Sequence, residues 1–166
     1  MRKSPKPSSA HLPSHRTRLT VGELRACLLR LDDAQTRGGL QTVLQGRHLG
    51  LLCAGQTTDV AAFQQAAGEL GARVAVLASD LAWANDPHQV TETARLLSRL
   101  YDAVTCAGVP NAVVDSLARA VTIRVSSEYV RASARLDTWA ARLDALAPAE
   151  HTRRSLLQAL VVLSMG

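Results

Sequence analysis

Aromatic residues make up only 3% of this 166-residue chain. Small aliphatic side chains must therefore form the core, which lets helices pack closely on a sheet and favours an α/β or all-α fold. No apolar run is long enough to span a bilayer, and the N-terminus lacks the apolar core of a signal peptide, so we expect a cytoplasmic protein without membrane contact. Cys27, Cys53 and Cys106 are an odd number set among apolar neighbours. This pattern predicts buried, reduced thiols and favours neither a disulfide, a metal nor a cofactor.

Acidic residues are absent from positions 1–19, and the five basic residues there account for the whole net charge of +5. The same segment is rich in Pro and Ser, so we predict a flexible basic tail followed by one domain over residues 20–166. We interpret the tail as a solubilising terminus. The alternative is weak, salt-sensitive attraction to nucleic acid.

Strand and helix patterns alternate four times after a first helix, which Thr20 and Glu23 open as a capping box. The apolar runs HLGLLCA, RVAVLAS, AVTCAG and AVTIRVSS are the predicted strands. We predict a three-layer α/β/α fold with a four-stranded parallel sheet, on which the N- and C-terminal helices pack. Ligands in such sheets bind beyond the carboxyl ends of the strands, so the candidate site comprises residues 53–59, 78–86, 106–110 and 124–127.

Five segments follow one another along the chain: LTVGELRACLLRLDDA, LQGRHLGLLCAG, VAAFQQAAGELGARVAVL, TETARLLSRLYDAV and the final AEHTRRSLLQALVVLSMG. In this order they resemble the carbamoyl-phosphate-binding N-terminal domain of the aspartate and ornithine carbamoyltransferases. The resemblance implies that strand one lies beside strand three, which brings Cys53 and Cys106 near each other. Too few residues separate strand four from the last helix to hold the family's second, amino-acid-binding domain. The resemblance therefore implies a half-enzyme that lacks this domain.

The residues with which the family binds carbamoyl phosphate are replaced in this chain at three places. An STRT-type loop is expected after strand one, but the chain has Gln56, Thr57, Thr58 and Asp59. Thr58 replaces the arginine, and Asp59 adds a negative charge. The arginine expected near the end of strand three is missing from the segment CAG, residues 106–108, and RVSSEYVRAS replaces the HPxQ-type segment after strand four. We therefore expect poor binding of carbamoyl phosphate.

The resemblance leads to a non-catalytic carbamoyltransferase-like protein that acts as a structural or regulatory subunit. Its expected partners are further copies of itself, as a trimer, or a complete carbamoyltransferase. The alternative is a transferase subunit that binds carbamoyl phosphate or another small anion through Gln56, Thr57, Thr58 and Arg124, with a partner completing the site. In the family the loop after strand two reaches a neighbouring subunit, so Trp83 is a candidate interface anchor, with local packing as the alternative.

One further cluster invites a metal or acid–base interpretation. Asp80, Asp86 and His88 are close in sequence. We interpret Asp86 instead as the cap of the helix that Pro87 begins. We predict no metal at this cluster.

Overall fold

The computed structural model describes residues 18–55, 60–146 and 152–166. Four strands form one sheet: β1 (His48–Cys53), β2 (Arg73–Ala78), β3 (Ala103–Ala107) and β4 (Arg124–Ser126). Their order across the sheet is β2-β1-β3-β4, and each neighbouring pair is parallel. The predicted four-stranded parallel sheet, with strand one beside strand three, is confirmed.

Seven α-helices lie within the described residues. They are α1 (Val21–Thr36), α2 (Val60–Glu69), α3 (Pro87–Leu100), α4 (Asn111–Ala120), α5 (Glu128–Ser133), α6 (Leu136–Leu146) and α7 (Arg153–Met165). Side chains of α1, α2, α5, α6 and α7 form one apolar core with one face of the sheet. Side chains of α3 and α4 form a second core on the opposite face. The predicted three-layer arrangement is therefore confirmed.

The N-terminal end of α1 is stabilised by the predicted capping box. The Thr20 amide donates a hydrogen bond to Glu23 Oε2 at 3.0 Å, and the Glu23 amide donates one to Thr20 Oγ1 at 3.2 Å. The residues spaced three and four apart along α1 are the buried ones: Leu24, Cys27, Leu28 and Leu31. Leu19, which the sequence placed in the tail, is also buried. The core thus begins before α1, and residues 1–17 of the predicted tail lie outside the described residues.

Helix α7 packs across α1 and α2, as predicted for a nearly all-apolar C-terminal helix. Leu156, Ala159, Leu160 and Val161 are buried in the first core. Each buried leucine contributes roughly 2 kcal/mol relative to an exposed one. Helix α7 is therefore part of the core of this layer.

Two elements differ from the sequence prediction. Strand β4 has three residues, Arg124–Ser126, because α4 continues to Ala120 and the chain needs Val121–Ile123 to return to the sheet. The single helix predicted beyond Ser127 is interrupted between Ser133 and Leu136. Ser133 Oγ donates a hydrogen bond to the Val130 carbonyl at 2.6 Å, which occupies a helix acceptor just before this break.

None of the described helices combines the length and the apolar character that crossing a bilayer requires.

Candidate functional site

The carboxyl ends of β1, β2 and β3 lie side by side at one edge of the sheet. Cys53 is in register with both Ala78 and Ala107. The Ser79 amide donates a hydrogen bond to the Cys53 carbonyl, and the Ala54 amide donates one to the Ala107 carbonyl. A shallow depression opens here, lined by Cys53, Gly55, Ala78, Ser79 and Asp80. Gly55 turns the chain out of β1 with a φ of 81°.

The described lining of this depression carries no positive charge. Among the described residues that form it, Asp80 is the one charged side chain. Asp80 Oδ1 accepts a hydrogen bond from the Ala82 amide at 3.0 Å, so this carboxylate caps the turn that follows β2. The predicted ligand residues Gln56, Thr57, Thr58 and Asp59 lie outside the described residues. What the structure does describe at this edge is neutral or acidic.

Arg124 lies at the opposite end of the strands. It pairs with Ala103, the first residue of β3, whereas Ala107, at the end of β3, pairs with Cys53. Ala103 and Ala107 are four residues apart along β3, which corresponds to about 13 Å at the usual rise per residue of a strand. The prediction that Arg124 lies at the carboxyl edge is wrong, because β4 begins at this residue.

The Arg124 side chain is directed to Tyr129. Its Nη2 donates a hydrogen bond to the Tyr129 hydroxyl at 2.6 Å, and its guanidinium lies 5.5 Å from the ring centroid. Burial raises the pKa of the Tyr129 phenol, and the positive charge of Arg124 only partly opposes this shift. The partner of this guanidinium is therefore a neutral group near pH 7.

Cys53 and Cys106 lie on neighbouring strands but belong to different cores. Cys106 is in register with Leu52, one residue before Cys53, and strand side chains alternate between faces. Cys53 packs in the first core and Cys106 in the second. Burial, with a smaller effect from Cys53, raises the pKa of Cys106 to about 12. Burial also raises the pKa of Cys53. Both groups are protonated near neutral pH, a state that disfavours nucleophilic or metal-binding chemistry.

Solved structures with the same arrangement of elements include several carbamoyltransferases. Anabolic ornithine carbamoyltransferase from Campylobacter jejuni superposes with a TM-score of 0.58 and 19% identity, covering 75% of this chain and 42% of that one. The ornithine carbamoyltransferase from Burkholderia thailandensis gives a TM-score of 0.59 and 14% identity, covering 78% of this chain and 47% of that one. This chain has an ornithine carbamoyltransferase fold. It spans less than half the length of either enzyme.

The same fold occurs in an N-acetyl-L-ornithine transcarbamylase variant solved with carbamyl phosphate, at a TM-score of 0.55 and 19% identity over 78% of this chain and 46% of that one. No protein-family model matches the sequence, and no curated protein is significantly similar to it. The resemblance to carbamoyltransferases that the sequence suggested is confirmed at the level of the fold. At these identities the likeness establishes the carbamoyltransferase fold, and activity must be argued from the site.

Trp83 lies in a short 3₁₀ helix, Ala82–Asn85, between β2 and α3 of the carbamoyltransferase fold. Its ring is half-buried and packs against the second core. Its Nε1 donates a hydrogen bond to Ser79 Oγ at 3.1 Å. The ring therefore makes local packing contacts, and its hydrogen bond ties the loop after β2 to Ser79, which lines the depression.

The Asp80, Asp86 and His88 cluster is explained by turn and helix geometry. Asp86 is the N-cap of α3, and its Oδ1 accepts a hydrogen bond from the His88 amide at 2.9 Å. Pro87 is the first residue of α3, as predicted. Within the part of the chain that the structure describes, no group of His, Cys, Asp or Glu side chains is arranged to hold a metal ion.

A polar contact that sequence reasoning missed joins the C-terminal helix to α2. Glu69 Oε2 accepts hydrogen bonds from Arg154 Nε and Gln158 Nε2, both at 2.8 Å. Burial of Glu69 opposes ionisation, but these hydrogen bonds and the charge of Arg154 outweigh it and lower the pKa of the carboxyl. Gln158 within the apolar run LLQALVVL was the available signal, because a buried amide needs a partner.

Proposed function

We propose that this chain is a non-catalytic protein with a carbamoyltransferase fold that acts by association, with copies of itself or with a complete carbamoyltransferase. The observation that carries the proposal is the charge at the carboxyl edge of the sheet. The described lining of the depression has Asp80 and no cation. A doubly charged phosphoryl group would find no counter-charge among the described residues of this depression.

The adjacent loop supplies no positive charge either. Residues 56–59 read Gln, Thr, Thr and Asp. A carboxylate about 4 Å from a phosphate oxygen is destabilising by roughly 4 kcal/mol at an effective dielectric constant of 20. Backbone amides and hydroxyls alone must then outweigh this repulsion. Weak or absent binding of carbamoyl phosphate is the expected result.

The alternative, a transferase subunit completed by a partner, depended on a guanidinium in the crevice. Arg124 was the residue expected to supply it, and it lies at the amino end of β4, in contact with Tyr129. This position favours the non-catalytic proposal.

Exposed apolar groups support association. Strand β2 is an edge of the sheet, and Val76 on it is 44% exposed. Leu96 and Leu100, one turn apart on α3, are 57% and 51% exposed. An edge strand and a partly apolar outer helix face are features that contacts between protein chains often use. We include Trp83 as a proposed contact residue, since its half-buried ring retains exposed surface.

Two measurements test the proposal. Light scattering should give a mass that is a multiple of one chain, or a stable complex with a complete carbamoyltransferase. Trp83→Ala should weaken that association at least about tenfold, as removal of an anchor residue does. Leu29→Ala is the control because Leu29 is also exposed but lies on α1, away from the β2–α3 loop. A strictly monomeric chain that captures no carbamoyltransferase would exclude association.

Calorimetry with carbamoyl phosphate tests the catalytic alternative. We expect no heat of binding at micromolar concentrations, because the described edge lacks a cation. Micromolar affinity would instead support a transferase subunit and would contradict the non-catalytic proposal.

A further inference from the structure

A second cavity, of about 240 Å³, lies beside the edge strand β4. Helix α4 forms one wall of the cavity and α5 another. Arg18, in the segment before α1, also lines the cavity. None of its lining residues lines the depression at the ends of β1 and β2. It is therefore a separate site.

The wall of this cavity contains a buried hydroxyl that has no hydrogen-bond partner in the described part of the chain. Ser126 is 8% exposed, and among the described residues its Oγ is the buried side-chain polar atom that makes no hydrogen bond. Leaving such a group unpaired costs roughly 1–3 kcal/mol. The neighbouring Ser127 is the N-cap of α5, yet its hydroxyl forms no capping hydrogen bond. Ser126 lines the cavity, so its unpaired hydroxyl is the buried group there that a bound ligand would satisfy.

The charges around the cavity favour an anion. Arg18, Arg124 and Arg131 line it, against Asp115 and Glu128. Within the part of the chain that the structure describes, the contacts given for Arg131 are long, 3.3 Å to Asn111 Oδ1 and 3.4 Å to Glu128 Oε2. Such exposed contacts are worth little and exchange readily for a better acceptor. The described lining therefore has one positive charge in excess. Its guanidinium groups can form paired hydrogen bonds with a carboxylate or a phosphate.

The backbone adds to this match. Strand β4 is at the edge of the sheet, so one side of its backbone has no strand partner among the described residues. Amides on a free edge can donate to an oxyanion. We propose that this cavity binds a small oxyanion, a carboxylate or a phosphate, through Arg18, Arg131 and the Ser126 hydroxyl.

The test is calorimetry on the full chain, in low-chloride buffer, with inorganic phosphate and with acetate. We expect at least one of the two to bind. Arg131→Gln and Ser126→Ala should each weaken that binding about five- to tenfold, because each removes a hydrogen bond to a charged ligand. Binding of phosphate alone identifies a phosphoryl ligand, binding of acetate alone a carboxylate, and both outcomes support the site.

Arg95→Gln is the matched control, since Arg95 forms an exposed ion pair with Glu92 at the same i,i+3 spacing and lies outside the cavity. Equal weakening in this control, or binding of neither anion, overturns the proposal. Ser126→Ala removes an unpaired buried hydroxyl, so it should not lower thermal stability. A loss of anion binding in this variant would therefore come from the missing hydroxyl and not from unfolding. The result is independent of the proposed association, because the mass of the assembly is measured separately.

Discussion

Arg154 Nε lies 2.8 Å from Glu69 Oε2, and this contact joins two helices whose residues are 85 positions apart. Gln158 donates to the same oxygen from the next turn of α7. The Glu69 side chain is 19% exposed, whereas that of Arg154 is 68% exposed. The carboxylate is therefore the better shielded partner, and it fixes where α7 packs on α2.

Replacing Glu69 is expected to weaken this docking. Glu69→Ala should lower the free energy of unfolding by about 1–2 kcal/mol, because Gln158 loses its acceptor inside the structure. Urea unfolding measures the change. The control is Glu92→Ala, whose pair with Arg95 is exposed on both sides and should contribute less than about 0.5 kcal/mol. Equal effects of the two variants would contradict a special role for Glu69.

The contribution of Glu69 should disappear in acid. Its folded-state pKa lies below the ordinary value of 4.5, so the stabilisation is complete above that pH and is lost as the pH falls through the folded-state pKa. The difference in unfolding free energy between the parent chain and Glu69→Gln should shrink from pH ~7 to pH ~3. Glu23, whose pKa is also lowered, is present in both proteins, so its contribution cancels in this difference. If the difference in unfolding free energy grew in acid, these contacts would not favour the ionised form of Glu69.

Gly71 is expected to tolerate no side chain. It has a φ of 87°, and a Cβ built on it would overlap the carbonyl oxygen of Gln41. Gly71→Ala should cost about 2 kcal/mol or more in thermal or urea unfolding. Gly68→Ala offers the matched comparison, since Gly68 lies in α2 with open space around its Cβ position. That variant should be neutral or stabilise by up to about 1 kcal/mol.

The thiols should be unreactive in the folded chain. Cys27, Cys53 and Cys106 are free and buried, and burial raises the pKa of each. Ellman's reagent at neutral pH should modify them only as fast as the protein unfolds, and all of them at once in denaturant. Rapid modification of Cys53 in the native chain would show that the depression exposes a thiolate.

The basic tail provides a test of nucleic-acid binding. Deleting residues 1–17 keeps Leu19, which is buried, and Arg18, which lines the second cavity. Any affinity for DNA measured by fluorescence anisotropy should fall with added salt and vanish in the deleted chain. Affinity that survives the deletion would place nucleic-acid binding on the folded part instead.

Local signals predicted the elements of this fold well. The capping box at Thr20, the cap at Asp86 and the spacing of Leu24, Cys27 and Leu31 each depend on residues within one or two turns of helix. Alternation of strand and helix then implied a parallel sheet in three layers. The resemblance supplied the neighbour relation of β1 and β3, which pattern alone leaves open.

The site was less predictable, because it depends on register. The sequence placed Arg124 near the end of strand four, but the length of the preceding turn decided that β4 begins there. Cys53 and Cys106 are close along the sheet, yet alternation sends them into different cores.

The amino-acid sequence by itself determined which segments become helices and strands, and that no cation stands in residues 53–59 after β1. Tertiary structure alone decided which end of the sheet Arg124 occupies, that Ser126 lines a cavity, and that Glu69 receives Arg154. The physical reason is that caps and periodicity act over a few residues. Register and helix docking instead follow from packing between segments far apart in the chain.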